Sequence, residues 1–346
     1  MTRDEAQDLI VQRKQDLGEK LIILGHHYQT DDIISFSDFV GDSLELARKA
    51  AQVKEAEIIV FCGVYFMAET ASIVAPDKDV YIPEKRAGCP LADMADVERV
   101  EEAWSAISRI SDSIVPVTYV NSSAEIKAFC GKHSGTVCTS GNAARIFEWA
   151  FSRARTIFFM PDKNLGMNTA RELEISPSKV VLWDPDARHG GLSDGAIRNA
   201  RVILWKGWCP VHWPEFSVSD VRKMRAEHPG IKIIVHPESD PETVDMSDRS
   251  GSTAQILSYI RSLQPGEKVA VGTECHMVER AAKDYQSVLD IMALKQIYCD
   301  DMGKITLEKL ADTLMNLDTD EHRVRVSEPI ASNARKALEI MLKVSE

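Results

Sequence analysis

The sequence predicts an α/β protein made of three sandwich-like α/β repeats, each with a short parallel sheet, with a single large doubly wound sheet as the alternative, and three observations predict it. Short apolar runs alternate with helix-period stretches along the chain, the pattern of βαβ units. The rhythm restarts about every hundred residues. A cysteine closes each third: Cys89, Cys209 and Cys299, the first two in the related settings Gly88-Cys89-Pro90 and Gly207-Trp208-Cys209-Pro210. The expected domains are 1–89 together with 300–346, then 90–209, then 210–299, with the active site at their shared interface.

In the first third, residues 1–16 read as a polar amphipathic helix and the apolar run 21–28 as a buried strand. Phe36, Phe39, Val40 and Ala47 recur at helical spacing and predict a helix. A strand at 57–64, a helix at 66–75 and a strand at 80–83 lead to Cys89. The middle third repeats this, with strands at 116–122 and 136–142, a strand at 156–164, and apolar runs at 180–184 and 201–208. Helical stretches at 123–132, 143–151 and 168–174 lie between them. The Gly/Asp/Pro-rich segment 184–195 is the clearest loop. The last third offers a strand at 231–238, a helix after 241–248, the run 251–263, a strand at 269–274 and a helix at 277–285. From Thr306 the tail is expected to be helical and to pack back on another domain.

A chain of 346 residues is long enough for sizeable cores, and 44% hydrophobic with 27% charged residues is ordinary for a soluble globular protein. No apolar run reaches the roughly 20 residues that span a bilayer, and the N-terminus lacks the apolar core of a signal peptide. The expected location is therefore the cytoplasm. Seven cysteines, an odd number, argue against a disulfide framework in that setting. A net charge of −12 argues against nucleic acid and anionic membrane as partners but leaves small anionic substrates open.

The three cysteines lie 120 and 90 residues apart, too far for a local metal knuckle. Brought together by three domains, three thiolates on a four-cornered iron–sulfur cluster leave one corner free for substrate. Cys62, Cys130, Cys138 and Cys275 read as structural. Polar residues end nearly every buried strand: His26 and Tyr28, Tyr119 and Asn121, Ser140, His236 and Glu238, Ser252 and Thr253, Thr273 and Glu274. Any one alone reads as a helix cap; their recurrence in all three thirds favours a common pocket beyond the carboxyl ends of the strands. Thr139-Ser140-Gly141-Asn142 and Ser250-Gly251-Ser252-Thr253 suit an anion at a helix start. His236-Pro237-Glu238 places an imidazole and a carboxylate together for acid–base work. His212 fits a metal ligand, a group behind the ligands, or a substrate contact. Gly41-Asp42-Ser43-Leu44 matches the nucleophile block of a serine esterase family, but the predicted helix puts Ser43 in its middle, on the inward face, which that chemistry does not use.

Across residues 20–340 the chain resembles the quinolinate synthases, iron–sulfur enzymes that build the pyridine ring of NAD. The resemblance rests on His26-His27-Tyr28-Gln29, on the segments 39–47, 66–70, 118–122 and 161–164, on Cys209-Pro210-Val211-His212, and on 236–238, 251–253 and Cys299 through 305–307. It implies three pseudo-threefold-related α/β sandwich domains with short parallel sheets, each giving one of Cys89, Cys209 and Cys299 to a [4Fe-4S] cluster whose open iron acts as a Lewis acid. The implied reaction condenses iminoaspartate with dihydroxyacetone phosphate to quinolinate, phosphate and water. It also implies a pocket lined by His26, Tyr28, Ser43, Tyr119, Asn121, Ser140, His212, His236, Glu238, Ser252 and Thr253, with Glu238, Tyr28, His212 and His236 catalytic. A transient contact with an aspartate-oxidising enzyme is implied as the source of the imine. Two extra cysteines that some members carry before the last ligand are replaced here by Ala293 and Gln296.

Overall fold

The computed structural model describes residues 1–345. The leading helix Arg3–Leu17 starts where Thr2 and Glu5 cap each other reciprocally and stops at Gly18, whose φ of 52° lies in the region that favours glycine. Strands β1 (Leu21–His26), β2 (Phe39–Gly41), β3 (Ile58–Cys62) and β4 (Asp79–Tyr81) form the first sheet. The second holds β5 (Ile114–Tyr119), β6 (Thr136–Cys138), β7 (Thr156–Met160), β8 (Val180–Trp183) and β9 (Val202–Trp205). The third holds β10 (Lys232–Val235), β11 (Arg249–Ser250), β12 (Lys268–Gly272) and β13 (Asp290–Ala293), and β14 (Arg323–Val324) returns to the first.

The spatial orders are β14-β4-β3-β1-β2, β6-β5-β7-β9-β8 and β11-β10-β12-β13. Each contains one pattern: the second strand, the first, the third, then a later strand. The β14–β4 pairing is antiparallel and every other strand pairing among the described residues is parallel. The central strands are apolar on both faces, as parallel strands covered by helices must be; β7 is buried at every residue. In this order the chain direction across the sheet reverses between the first and third strands, which opens a crevice beyond their carboxyl ends. Three sheets thus make three equivalent crevices.

The predicted helix through Phe36 and Val40 is not there. Residues Phe39–Gly41 pair with Leu24–His26 as an edge strand, and the helix Ser43–Gln52 begins only after Asp42, whose Oδ1 accepts from the N–H groups of Leu44 and Glu45 at 3.0 Å. Two phenylalanines in a loop and a three-residue strand imitate a helical period. Ser43 is therefore the first residue of its helix, not a mid-helix residue. Strand β1 likewise ends at His26, and Tyr28 lies in the turn that follows. Edge strands β11, β13 and β14 and the helices Val97–Ser108 and Val218–Glu227 have no counterpart in the sequence expectations.

The tail does pack back. Helix Glu328–Val344 crosses to the second sheet and lies so close to helix Ala124–Lys132 that a Cβ on Gly131 would fall 1.9 Å from the Asn333 carbonyl oxygen. The Thr136 hydroxyl donates to the Ala337 carbonyl at 2.9 Å. One buried apolar cluster consequently runs through residues of all three sheets. Among the described residues no helix is long and apolar enough to cross a membrane.

Candidate active site

The repeated strand order decides which side chains meet. The ends of the first strands and the turns that follow them bring His26 and Tyr28, Tyr119 and Asn121, and His236 and Glu238. Those after the second bring Ser43, Ser140 and Thr253, and those after the last bring Cys89, Cys209 and Cys299. All of these, with His212, line one cavity of about 80 Å3, against an apolar wall that includes Phe66, Met67 and Met302. Ser252 is the one expected pocket residue that is not among them. Its hydroxyl accepts from the Gln255 N–H and donates to Asp42 Oδ2, both at 3.4 Å, so it caps helix Thr253–Ser262 behind the wall.

The three cysteines share a local conformation. Each carbonyl accepts from the N–H four residues on: Asp93 to Cys89 at 3.1 Å, Trp213 to Cys209 at 2.9 Å and Gly303 to Cys299 at 3.0 Å. Each thiol thus stands at the opening of a helical turn, where free N–H groups favour negative charge. The N–H groups of Leu91 and Ala92 face the Cys89 sulfur, and those of Asp301 and Met302 the Cys299 sulfur. Burial pushes all three thiols up, Cys299 to about 11, and neighbouring thiols add to this at Cys89 and Cys209. Thiols that resist ionisation unaided, grouped in one cavity and supplied with N–H donors, form a donor set suited to a soft metal centre that displaces their protons. Acidic side chains behind the strand ends hold these loops: Asp162 Oδ2 accepts from the Cys209 N–H at 3.1 Å, and Glu274 Oε1 from the Cys299 N–H at 3.5 Å.

Opposite the thiols lies a buried hydrogen-bonded chain. His212 Nδ1 is 2.5 Å from Glu238 Oε2, His212 Nε2 is 3.0 Å from the Thr273 hydroxyl, and that hydroxyl is 2.7 Å from the Tyr28 hydroxyl, to which Thr253 donates at 3.3 Å. Burial drives the Glu238 carboxyl up, but His236, His212 and the Tyr119 hydroxyl outweigh it and hold the group at about 2. His236 is itself pushed down to about 3 by burial and by His212, so near neutral pH it is uncharged. Burial pushes the Tyr28 and Tyr119 phenols up, with Glu238 adding to both.

Two histidines are set alike. The Tyr28 N–H donates to His26 Nδ1 at 3.1 Å, and the Glu238 N–H to His236 Nδ1 at 3.4 Å. With Nδ1 an acceptor, each neutral ring carries its proton on Nε2. His236 stacks on His212 with ring centroids 4.2 Å apart. The Oδ1 of Asn121 and the hydroxyl of Thr139, both at the cavity, are buried without a hydrogen-bond partner, as groups awaiting a ligand are. Cys209, His212 and Glu238 also bring one ligand atom each to within 4.8 Å of one another.

Sequence reasoning missed the supports. Thr273 was visible only as a strand-end hydroxyl. Asn164 Nδ2 donates to the Glu238 carbonyl at 3.1 Å, and Asn168 Nδ2 to those of Pro237 and Ser239 at 2.8 Å, so a helix of the second sheet clamps the turn after β10 in the third. The 161–164 block was the available signal for the first of these.

Comparison with known proteins agrees with this geometry. The family model described as NadA: Quinolinate synthetase A protein matches residues 8–343. The chain is 46% identical to the quinolinate synthase of Rhodopirellula baltica, over 96% of this chain and 88% of that protein. It is 44% identical to that of Corynebacterium glutamicum, over 99% and 88%, and 44% identical to that of Geobacillus kaustophilus, over 100% and 95%. The cavity residues lie within the matched span, and the chain belongs to the quinolinate synthase family of enzymes.

Proposed function

We propose that this chain condenses iminoaspartate with dihydroxyacetone phosphate to give quinolinate, phosphate and water, with Cys89, Cys209 and Cys299 holding a [4Fe-4S] cluster. The observation that carries this is the meeting of three thiols, one from each sheet and each opening the same kind of turn, with the ionised Glu238 in one cavity. When bound, the cluster supplies a Lewis acid at its fourth iron.

The chain's own residues do the rest. Neutral His26 and His236 offer Nε2–H donors, and Ser43, Ser140 and Thr253 offer hydroxyls near helix starts; together they suit carboxylate and phosphate groups. Ser43 and Thr253 are the first residues of their helices, so the positive helix ends add to the field. Glu238 is the base and, once protonated, the acid; Tyr28, His212 and Tyr119 orient its proton traffic. Phe66, Met67 and Met302 keep water from the imine, which hydrolyses readily. On this reading the units are 1–89 with 300–346, 90–209 and 210–299, and each supplies one thiol. On the same reading the imine comes from an aspartate-oxidising partner, neither nucleic acid nor membrane takes part, and the chain acts in the cytoplasm.

The test is anaerobic turnover of the reconstituted protein with both substrates. Equal amounts of quinolinate and phosphate are expected. Phosphate release without quinolinate, or no reaction at full iron and sulfide loading, rules the reading out.

A further inference from the structure

We propose that Lys163, lodged against Trp208 and Trp213, is a positioning residue that closes the Cys209 turn and slows loss of the metal centre held there. This rests on the reading of Cys209 as a ligand to the [4Fe-4S] cluster.

The start of helix Lys163–Glu172 grips the Cys209 turn at three points. Buried Asp162 caps that helix with Oδ1, which accepts from the Leu165 N–H at 2.7 Å, and with Oδ2 accepts from the Cys209 N–H at 3.1 Å. The Lys163 N–H donates to the Gly207 carbonyl at 2.9 Å. These two contacts fix the chain as it enters the turn. The third is made by the Lys163 side chain, whose Nζ lies 3.8 Å from the ring centroid of Trp213 and 5.3 Å from that of Trp208. The two indoles meet edge to face with centroids 5.1 Å apart. Trp208 directly precedes Cys209, and Trp213 closes the turn, donating its N–H to the Cys209 carbonyl at 2.9 Å.

A cation over an indole face is attracted by the negative face of the ring, and the attraction grows as the pair leaves water. Lys163, Trp208 and Trp213 are all partly buried. Among the described residues Lys163 has no ion-pair partner, whereas Lys206, just after β9, is held 2.6 Å from Asp184. The two rings are therefore what holds the Lys163 ammonium, and the ammonium in turn ties the two ends of the turn together. The other thiols have no such bracket: Gly88 and Asp93 stand at the corresponding places around Cys89, and Tyr298 and Gly303 around Cys299. None of the three bracket residues lines the cavity, so they act through the turn and not on substrate. For the Cys209 turn to open, Trp213 must leave the cation. The open form is rarer by that amount, and iron escapes correspondingly more slowly.

The experiment loads wild type, Lys163→Met, Lys163→Arg, Trp213→Leu and the double variant of Lys163→Met with Trp213→Leu anaerobically, and follows release of iron to a chelator. All five are expected to take up iron and sulfide fully. Methionine keeps the reach of the side chain and removes its charge, and release is expected to be about ten-fold faster. Arginine, which also stacks on indole, should return the rate to within about three-fold of wild type. Trp213→Leu should match Lys163→Met, with the double variant within about two-fold of either, because both remove one shared interaction. A wild-type rate with methionine overturns the proposal. So do failure of arginine to rescue, fully additive effects in the double variant, or faster release that merely follows a lower denaturant midpoint. A second measurement needs no metal: 13C NMR of the lysine-labelled full chain is expected to show one ε-methylene signal shifted upfield by the indole ring currents and restored in Trp213→Leu, and its absence from wild type overturns the bracket. A wild type that takes up no iron and sulfide refutes the cluster itself, and the NMR signal still decides the bracket.

Discussion

The two ends of the cavity are built by different means. At the thiol end the backbone does the arranging: three cysteines open three helical turns, and N–H groups face the sulfurs of Cys89 and Cys299. At the acid–base end side chains arrange one another, with Glu238, His212, Thr273, Tyr28 and Thr253 joined in sequence. A backbone device survives changes in neighbouring side chains and fails only when the cysteine is lost. A buried side-chain network loses function when any member leaves a partner unsatisfied. The thiol end should therefore respond to few substitutions, and the acid–base end to many.

The largest effect that separates the ends is expected for Glu238→Gln. Turnover should fall about a thousand-fold, the range for losing a general base, while cluster absorbance is retained. Parallel loss of absorbance would mean that the two ends are not independent.

A smaller effect is expected in the pH dependence of stability, read as Tm of the full chain without iron. His236 has a folded pKa of about 3 against 6.5, so its neutral form contributes stability above about pH 6.5 that is lost as pH falls toward 3. His26 shifts in the same direction, chiefly through burial, so its neutral form adds stability that is likewise lost as pH falls below about 6.5. Glu238, at about 2 against 4.5, contributes above about pH 4.5 and loses it below. His236→Gln should flatten the limb between pH 6.5 and 3 by up to about 1.4 kcal/mol per pH unit. An unchanged slope would show that His236 is not held neutral.

The smallest effect is expected at Ser252, which stands behind the wall. Ser252→Ala should lower stability by about 1 kcal/mol through loss of the cap, measured by denaturant unfolding, with KM for either substrate unchanged. A raised KM would return its hydroxyl to the pocket.

The thiol end was legible in the sequence because glycine and proline around Cys89 and Cys209 mark turns at the ends of apolar runs, and the repeat places Cys299 beside them. The strand-end polar residues were legible for the same reason: parallel sheets put loops on one side. Ser43 was misplaced because Phe36, Phe39 and Val40 fall at helical spacing although an edge strand separates them from the helix. The link through Thr273 was not legible, since it joins residues 245 positions apart and only packing of the first sheet against the third brings them together. Nor does a local pattern say that helix Glu328–Val344 packs on helix Ala124–Lys132; that contact is set by a glycine some two hundred positions away, at residue 131.

The central claim is that three distant sulfurs hold one inorganic centre. Iron and acid-labile sulfide counted after anaerobic reconstitution of wild type, Cys89→Ser, Cys209→Ser and Cys299→Ser test it most directly. About four of each per wild-type chain are expected, with loss of the intact cluster in every variant and folding retained. Full iron and sulfide in any one variant, or zinc in place of iron in the wild type, would contradict it.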